Sequence, residues 1–385
     1  MEEPCRLRES AADVVFFTLN YHPGEAGGAE RQARLQAEEL VRRGHRVLVV
    51  CPRSRGPRTG KVGGVDVLRL PKLTRKPFRR ISYALVLVPW LLAVGRRFDV
   101  WHVHLASTQA DLVVFVGLLT RTPTYVKIAS GGKTGEVQQF APLGWATRRV
   151  GLRRATRVQA LSAEIADELT TIGVIHGRVV RIPNGLDLTA FSPPDARRKL
   201  AMRTKLGLPL DQPIALYAGR FAEYKGIGDL LEAWRRISQN QGLLVLLGAR
   251  GPEDEPFPVP DRGRGFVTRE WTPAVIEYLH AADVFVHPSH QDGMSNALLE
   301  AMACGLAPLA TGIRAVEGLL EDERNALLVP PSHPPELSRS LVRLLGDRAL
   351  RERIGAAAAR TAREYSISDV VSEIEQVYAE LVTRC

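Results

Sequence analysis

Short runs of β-branched and aromatic residues alternate with helical patterns along this chain, and the scheme occurs twice. In the first half, Val14–Leu19 and Arg46–Cys51 predict buried strands, and Glu30–Arg43 between them predicts a helix. Further runs that predict strands are Asp99–His104, Thr124–Ala129 and Arg157–Leu161. Repeats of strand, helix and strand are typical of a parallel sheet with helices on both faces, so we expect an α/β fold.

The second half repeats this order after the proline-rich, polar stretch within Asp187–Gln212. Its predicted strands are Ile214–Gly219, Leu243–Gly248, Val284–His287 and Leu306–Ala310, and its predicted helices are Gly226–Ile237, Ser295–Gly305 and Ile367–Leu381. At roughly 100–200 residues per domain, 385 residues suit two large domains. We expect two doubly wound Rossmann-like domains, residues 1–190 and 191–366, facing each other across a cleft. A helix within 367–385 is expected to return to the first domain.

The positive net charge of the chain, +10, comes entirely from its first half. Residues 1–190 hold 29 Lys and Arg against 16 Asp and Glu, and 15 of the basic residues lie within Arg42–Arg97. Such a field attracts anionic partners, including acidic lipid headgroups, although a solvated basic face explains it as well. Nucleic acid is disfavoured because aromatic residues are not interleaved with the basic ones. The apolar run Ile81–Val94 is too short to span a bilayer. An ordinary buried helix is the stronger interpretation of it, and an interfacial helix is the other.

The four cysteines are scattered, with no C-x-x-C pair, so neither a disulfide framework nor a zinc site is indicated. The polar, acidic start shows no targeting segment. These features predict a cytoplasmic location, with the inner face of the plasma membrane as a peripheral site. We expect no resident metal or cofactor.

Two motifs follow strands of the first half. Gly24–Gln32 (GEAGGAERQ) places glycines before a helix start, which suits an anion, although a plain strand–helix turn explains it equally. The spacing does not match the dinucleotide fingerprint G-x-G-x-x-G. His102 and His104 share one side of their strand. We interpret His102 as a buried histidine satisfied by the backbone. For His104, at the strand end, we favour a functional role.

A pair of cations follows the first strand of the second half. Arg220 ends the strand and Lys225 precedes a helix, in the segment YAGRFAEYKGIGD. Two cations and a helix N-terminus at one place suit a diphosphate, whose charge must be neutralised when it departs. Without that position after a strand, the two residues would simply be solvated.

Two acids lie within Pro288–Gly305 (PSHQDGMSNALLEAMACG), and their order is acid-x7-acid. If the helix starts near Gly293, Asp292 and Glu300 can lie on the same side two turns apart. Ionised acids only accept hydrogen bonds, which suits sugar and ribose hydroxyls. A glycosidase acid pair is the competing interpretation. The cation pair favours a phosphate-activated sugar instead.

In this order and at these distances, the motifs resemble those of the retaining glycosyltransferases of family 4, which have the GT-B fold. The resemblance covers most of the chain. The matching segments are Gly27–Gln32, Asp99–His104, Ile182–Asp187, Gly219–Gly226 and the block from His287 to Pro331. It implies sugar transfer from a nucleotide diphosphate sugar, UDP-sugars being the commonest donors, with retention of configuration and without a metal ion. The first domain is then the acceptor side. The acceptor is a glycan, a lipid-linked sugar or a small molecule.

The resemblance also implies residue roles. The residues matched to catalysis are His104, Arg220, Lys225 and Asp292. The residues matched to donor binding are Gly27, Gly28, Arg220, Lys225, Thr268, Arg269, Asp292, Gly293, Met294, Ser295 and Glu300. Among them, Gly28 matches a loop that closes over the diphosphate, Glu300 the acid that binds the ribose, and Thr268 and Arg269 the cradle of the base.

Two departures from the family pattern stand out. Asp292 replaces the commoner glutamate, and Lys127–Glu136 (KIASGGKTGE) lacks the histidine–glycine pair often found there. Two alternatives stay open at this point. One is an epimerase or phosphorylase on the same scaffold, and the other is a non-catalytic protein that binds nucleotide sugars. A front-face displacement needs no enzymic nucleophile, and the motifs contain none.

Overall fold

The structure is a computed structural model, and it describes residues 11–23, 27–54, 56–73, 78–132, 135–138, 142–248, 262–263 and 265–383. The strands β1–β8 are Asp13–Phe17, Arg46–Pro52, Thr59–Val62, Val65–Leu70, Val100–His104, Thr124–Ile128, Arg157–Ala160 and Val179–Arg181. The strands β9–β15 are Ile214–Ala218, Leu243–Gly248, Arg262–Gly263, Phe266–Glu270, Val284–His287, Ala307–Thr311 and Leu327–Val329.

The helices also follow the sequence order. The helices α1–α6 are Gly28–Arg42, Phe78–Ala93, Thr108–Thr120, Pro142–Arg154, Ala163–Thr171 and Ala196–Leu206. The helices α7–α12 are Ile227–Arg235, Val275–Ala281, Asn296–Ala303, Pro334–Gly346, Arg348–Ala362 and Ile367–Thr383. Every strand and helix that the sequence predicts is present, and each end lies within three residues of its predicted position.

The chain divides into two compact units. The first unit is residues 1–185 together with 367–385, and the second is residues 186–366. The first division falls at 185/186, where the sequence places it at 190/191. Helix α12 belongs to the first unit: its Val370 and Ile374 are buried in the same core as Phe16 of β1 and Ala33 of α1.

Each unit contains one mostly parallel sheet. The strand order is β3-β4-β2-β1-β5-β6-β7-β8 in the first unit and β11-β12-β10-β9-β13-β14-β15 in the second. Among the strands that the structure describes, only the edge pairs β3–β4 and β11–β12 are antiparallel. The order of strands reverses between β1 and β5 in the first sheet and between β9 and β13 in the second. In open parallel sheets, ligands bind beyond the carboxyl ends of the strands at such a switch point.

Helix α2 differs from the stronger of its two sequence interpretations, an ordinary buried helix. One side is in the core, with Leu87 and Leu91 fully buried. The opposite side exposes Phe78, Ile81 and Leu85 at 58%, 59% and 70% of their surfaces. The sequence shows a continuous apolar run, and only the packing reveals that one face lacks cover. Within the described ranges, no helix combines the length and the apolar character needed to cross a membrane.

Candidate active site

The second switch point carries the predicted cation pair. Strand β9 ends at Ala218, and the turn after it holds Arg220 against Tyr217, whose hydroxyl donates to the Arg220 carbonyl over 2.6 Å. The Arg220 guanidinium and the Lys225 ammonium lie 5.8 and 5.4 Å from the ring centre of Tyr224. Both cations therefore lie against one aromatic ring in the turn that enters α7.

Lys225 pairs with the predicted first acid. Its Nζ atom donates to Oδ2 of Asp292 over 2.8 Å, and the Gly293 N–H donates to Oδ1 over 2.9 Å. Burial alone would raise the pKa of the Asp292 carboxyl, but the Lys225 charge, His287 and these hydrogen bonds hold that pKa below its usual value. Asp292 is therefore an ionised acceptor held in place by a cation.

The close approach of two loops explains this pairing. Gly226 has φ +66°, and a Cβ there would lie 1.8 Å from the Pro288 carbonyl oxygen. The His290 N–H donates to the Tyr224 carbonyl over 2.9 Å, and His290 Nε2 lies 2.7 Å from Oδ2 of Asp229 on α7. A glycine is needed at this position because only its bare Cα allows the two backbones to meet in this conformation.

Sequence reasoning missed His287. It ends β13, is buried, and places Nε2 3.4 Å from Oδ2 of Asp292. Burial lowers the pKa of the His287 imidazole to about 4, although the nearby Asp292 opposes this change. A neutral imidazole therefore lines the Asp292 carboxylate at neutral pH. The sequence signal was present, since His287 directly precedes the Pro288 loop at a strand end.

The two acids do not share a helix. Helix α9 begins at Asn296, with Ser295 as its N-cap accepting from the Leu298 N–H over 3.3 Å. Asp292 therefore lies in the preceding loop, and the argument from two helical turns does not apply. Glu300 lies one turn into α9 and is 4% exposed. Of the loop N–H groups between Gly293 and Ser295, that of Gly293 already serves Asp292.

Thr268 and Arg269 lie on β12, which is two strands from β9. At about 4.8 Å between neighbouring strands, this places them about 10 Å to the side of the cation turn. Both lie in the carboxyl half of their strand, at the same edge of the sheet as Arg220. This separation is the scale of a nucleotide rather than of a single phosphate group.

The first switch point carries the predicted residues of the first unit. Gly27 is the N-cap of α1 in an extended conformation, and Gly28 is the first residue of that helix. His104 ends β5 and is 2% exposed. His102 is buried too, but the partner of its Nδ1 is the Tyr378 hydroxyl of α12 at 2.6 Å, and the expectation of a backbone partner is therefore wrong.

Two further polar residues at this switch point were not singled out from the sequence. Lys127 of β6 pairs in register with His104 and is 1% exposed. Ser107 is the N-cap residue of α3 but makes no side-chain capping bond. Within the described part of the chain, the Lys127 Nζ, the Ser107 Oγ and both ring nitrogens of His104 have no hydrogen-bond partner. We refer to His104, Ser107 and Lys127 as the first-sheet cluster.

No group of three or more His, Cys, Asp or Glu side chains lies together in a way that could hold a metal ion among residues whose placement is described.

Comparison with known proteins defines the class. Residues 27–185 match the family model "Glycosyl transferase 4-like domain", and residues 212–347 match "Glycosyl transferases group 1". Together these matches span well over half of the chain. The chain therefore belongs to the glycosyltransferases of family 4, and its two α/β units form the GT-B fold.

Individual relatives agree with this assignment. A protein of Xylanimonas cellulosilytica named D-inositol 3-phosphate glycosyltransferase is 29% identical over 307 residues, which are 77% of this chain and 69% of that protein. Sucrose-phosphate synthase from Thermosynechococcus elongatus is similar in structure, with a TM-score of 0.80, 22% identity and coverage of 97% and 99% of the two chains. HepE of Anabaena, solved with UDP and glucose, also has a TM-score of 0.80, with 16% identity and coverage of 96% and 100%. The protein is an enzyme, a glycosyltransferase.

Proposed function

We propose that this glycosyltransferase moves a sugar from a nucleotide diphosphate sugar to an acceptor hydroxyl, with retention of configuration and without a metal ion. The observation that carries the proposal is the 2.8 Å contact between Lys225 and Asp292 at the second switch point, with Arg220 in the same turn. One cation contacts the acid while both cations lie at the place where an anion would bind. This combination suits a ligand that has a charged diphosphate and a hydroxyl-rich sugar side by side.

A UDP-sugar is the donor that we propose. HepE of Anabaena has been solved with UDP and with UDP-glucose, and its fold matches 96% of this chain. Thr268 and Arg269, about 10 Å to the side of the cations, would then face the base. Glu300 would accept hydrogen bonds from the ribose hydroxyls.

In the proposed reaction, the acceptor hydroxyl attacks the anomeric carbon on the face from which the diphosphate leaves. The bond between the anomeric carbon and the β-phosphate oxygen breaks, and a bond to the acceptor oxygen forms. The acceptor proton passes to the departing phosphate, so that nucleoside diphosphate is the second product. Arg220 and Lys225 stabilise the negative charge that develops on the leaving group. Asp292, whose Oδ1 accepts from the Gly293 N–H, and the N–H groups of Met294 and Ser295 hold the sugar.

Donor binding must rearrange the ion pair in this scheme. The diphosphate competes with Asp292 for the Lys225 ammonium, and the released carboxylate becomes an acceptor for sugar hydroxyls. The two cations supply the positive charge that the leaving group requires. On this basis we expect turnover to be insensitive to a chelator.

The proposal is tested by incubating the full chain with a panel of UDP-sugars, with and without acceptor alcohols, and reading the anomeric configuration of the products by proton NMR. Retention and unchanged rates in EDTA are expected. Arg220→Ala should lower turnover by roughly 100-fold or more. Arg236→Ala is the matched control, because that arginine is a half-exposed partner of Glu232 on α7. Inverted products, or a normal rate for Arg220→Ala, would contradict the proposal.

We also propose that the exposed side of α2 contacts an anionic membrane surface. Phe78, Ile81, Leu85 and Leu92 form an exposed apolar stripe at helical spacing, each at least 46% exposed. The exposed Arg96 and Arg97 lie in the short turn three and four residues after the helix ends. An apolar stripe beside cations suits the boundary between acidic headgroups and acyl chains.

Flotation with vesicles of anionic and of neutral lipids tests this contact. Binding to the anionic vesicles is expected at low salt. It should be lost in Leu85→Glu and kept in Leu210→Glu, which alters an equally apolar residue of the second unit that is 54% exposed. Equal behaviour of the two variants, or no binding at low salt, would contradict the proposed contact.

A further inference from the structure

The first-sheet cluster occupies a turn that many contacts hold in place. Leu105, directly after His104, has φ +79°, a left-handed conformation that a branched residue rarely adopts. The Leu105 N–H donates to the Lys127 carbonyl over 3.2 Å, and the Ala106 N–H donates to Glu136 over 2.6 Å. Local strain of this kind persists only where surrounding contacts enforce it, and it is common at binding sites.

Arg148 and Glu136 also hold the same turn in place. Arg148 of α4 donates to the Ala106 carbonyl, and its Nε lies 2.7 Å from Oδ1 of Asp111 on α3. The Glu136 carboxylate also accepts from the N–H groups of Ala129 and Ser130, at 3.0 and 3.1 Å. The turn is therefore fastened from β6, from the loop after β6 and from α4. The charged groups that fasten it are engaged with each other or with backbone.

The first-sheet cluster differs from these fastening groups, because its hydrogen-bond donors have no partner among the described residues. An ammonium offers three N–H donors and no acceptor, and a hydroxyl and a neutral imidazole offer one donor each. Burial lowers the pKa of Lys127 to about 7, although Glu136 opposes this change, and burial keeps the pKa of His104 well below its usual value. A buried charge without a contacting partner is costly, so a ligand that supplies the partner gains that free energy back.

The N-terminus of α3 adds to this preference. The helix has 13 residues and begins directly after Ser107, whose side chain leaves the first turn uncapped. The positive end of the helix therefore lies three residues after His104, at the end of the same turn. Helix end, ammonium, hydroxyl and imidazole all favour an acceptor of hydrogen bonds, and the first two favour negative charge.

We propose that the first-sheet cluster binds an acidic group of the acceptor substrate, a phosphoryl or carboxylate group, with Lys127 as its counter-ion and His104 and Ser107 as neutral donors. The proposal rests on the proposed function, because it takes the first unit to be the acceptor side. It narrows the acceptor to an anionic sugar, polyol or lipid-linked sugar. The acidic group is bound and takes no part in the bond changes.

The test is calorimetric titration of the full chain with two simple anions. Sulfate represents a phosphoryl group, and acetate represents a carboxylate. Whichever of the two anions binds should bind at least tenfold more weakly to Lys127→Met than to the unmodified chain. Lys61→Met is the matched control, since that lysine of β3 in the same unit is 70% exposed, and it should bind normally. Binding of sulfate alone assigns a phosphoryl group, and binding of acetate alone assigns a carboxylate.

Three results would overturn the proposal. The first is that neither anion binds, or that a neutral polyol alone binds in a manner that depends on Lys127. The second is that Lys127→Met binds sulfate as tightly as the unmodified chain. The third is that Lys225→Met loses sulfate binding and Lys127→Met keeps it, which would place the anion in the second unit. Binding of UDP to the same variants is measured in parallel. Its absence from every variant would refute the proposed donor while leaving the anion result standing.

A further measurement needs no variant and covers the case in which Lys127→Met fails to fold. The groups that interact electrostatically with Lys127 are His102, His104 and Glu136. Both histidines stay neutral, while burial raises the pKa of Glu136 to about 7. Below pH 7 the ammonium forms and Glu136 loses its charge, and both changes favour an anion. The anion that binds the unmodified chain must therefore bind more tightly at pH 6.5 than at pH 8.5, and equal or reversed affinities would overturn the proposal.

Discussion

The lysines at the two switch points have opposite surroundings: one is paired with a carboxylate, and the other is not. In the second unit, Lys225 and Asp292 neutralise each other across 2.8 Å. In the first unit, the Lys127 ammonium has no hydrogen-bond partner among the described residues, and the Glu136 carboxylate accepts instead from the backbone N–H groups of Ala106, Ala129 and Ser130. A ligand of the second unit must displace an ion pair, whereas a ligand of the first unit supplies a missing partner. The two switch points of the same fold therefore differ in what an anion would have to do in order to bind. At one it displaces an existing ion pair, and at the other it supplies the partner of a buried cation.

This difference has an energetic consequence. Removing one member of a buried pair leaves the other charge uncompensated, which destabilises a protein strongly. Removing a buried charge that has no contacting partner relieves a cost instead. Substitutions of the two lysines should therefore change stability in opposite directions, even though each of them abolishes a ligand contact.

The largest expected effect is that of Lys225→Met on turnover. Loss of this cation should lower the transfer rate by roughly 100- to 1,000-fold, because charge on the leaving group is no longer stabilised. Asp292 also loses the charge that lowers its pKa. Rates are measured with UDP-sugars beside Lys61→Met, which should behave like the unmodified chain. A loss of less than threefold would show that the ion pair is structural only.

The next largest effect is the loss of stability that we expect when Gly226 is replaced, because two loops of the second unit meet at this residue. Gly226→Ala should destabilise the unit by about 3 kcal/mol, because it adds a clash with the Pro288 carbonyl to the roughly 1 kcal/mol cost of a left-handed alanine. Gly207→Ala is the matched control. It has φ +63° but nothing within 4 Å of the added Cβ, and should cost about 1 kcal/mol. Equal midpoints of the two variants in urea unfolding would contradict the close approach.

The smallest expected effect is a pH-dependent change in the free energy of unfolding when Lys127 is replaced. The pKa of Lys127 is about 7 in the folded chain against an ordinary value of 10.5. Between these values the unfolded chain binds the extra proton, so the free energy of unfolding should rise with pH. Lys127→Met lacks this rise. It should be more stable than the unmodified chain by about 1–2 kcal/mol at pH 7, with the gap closing towards pH 10. Urea unfolding at both pH values measures the gap, and a constant gap would contradict the depressed pKa.

Much of this architecture is predictable from the sequence, because strand–helix alternation depends on local patterns. The runs VVFF at 14–17 and LLVLLG at 243–248 contain no polar side chain, as is typical of strands covered on both faces. The placement of Arg220, Lys225 and Asp292 after strands is also local information. Their convergence then follows from the rule that parallel strands end at the same edge of a sheet.

Other features depend on register and packing, which the sequence does not contain. TYVKIA predicts a strand around Lys127, but only the pairing with β5 shows that this lysine neighbours His104. The hairpin of β3 and β4 was missed despite its Gly63-Gly64 turn, because its strands are short and polar. Helix α6 was missed within a stretch whose prolines suggested a linker. In the structure, Pro193 and Pro194 precede the helix, and Asp195 caps its N-terminus.

The path of the chain has a consequence for biosynthesis. The polypeptide leaves the first unit at residue 185 and returns at 367, where α12 supplies Tyr378 to the buried His102. On the ribosome, every residue of the second unit emerges before α12 does. The second unit can therefore complete its core while the first still lacks Val370, Ile374 and Tyr378. The unit whose synthesis begins first is therefore the one that must wait for a segment translated after the whole of the second unit.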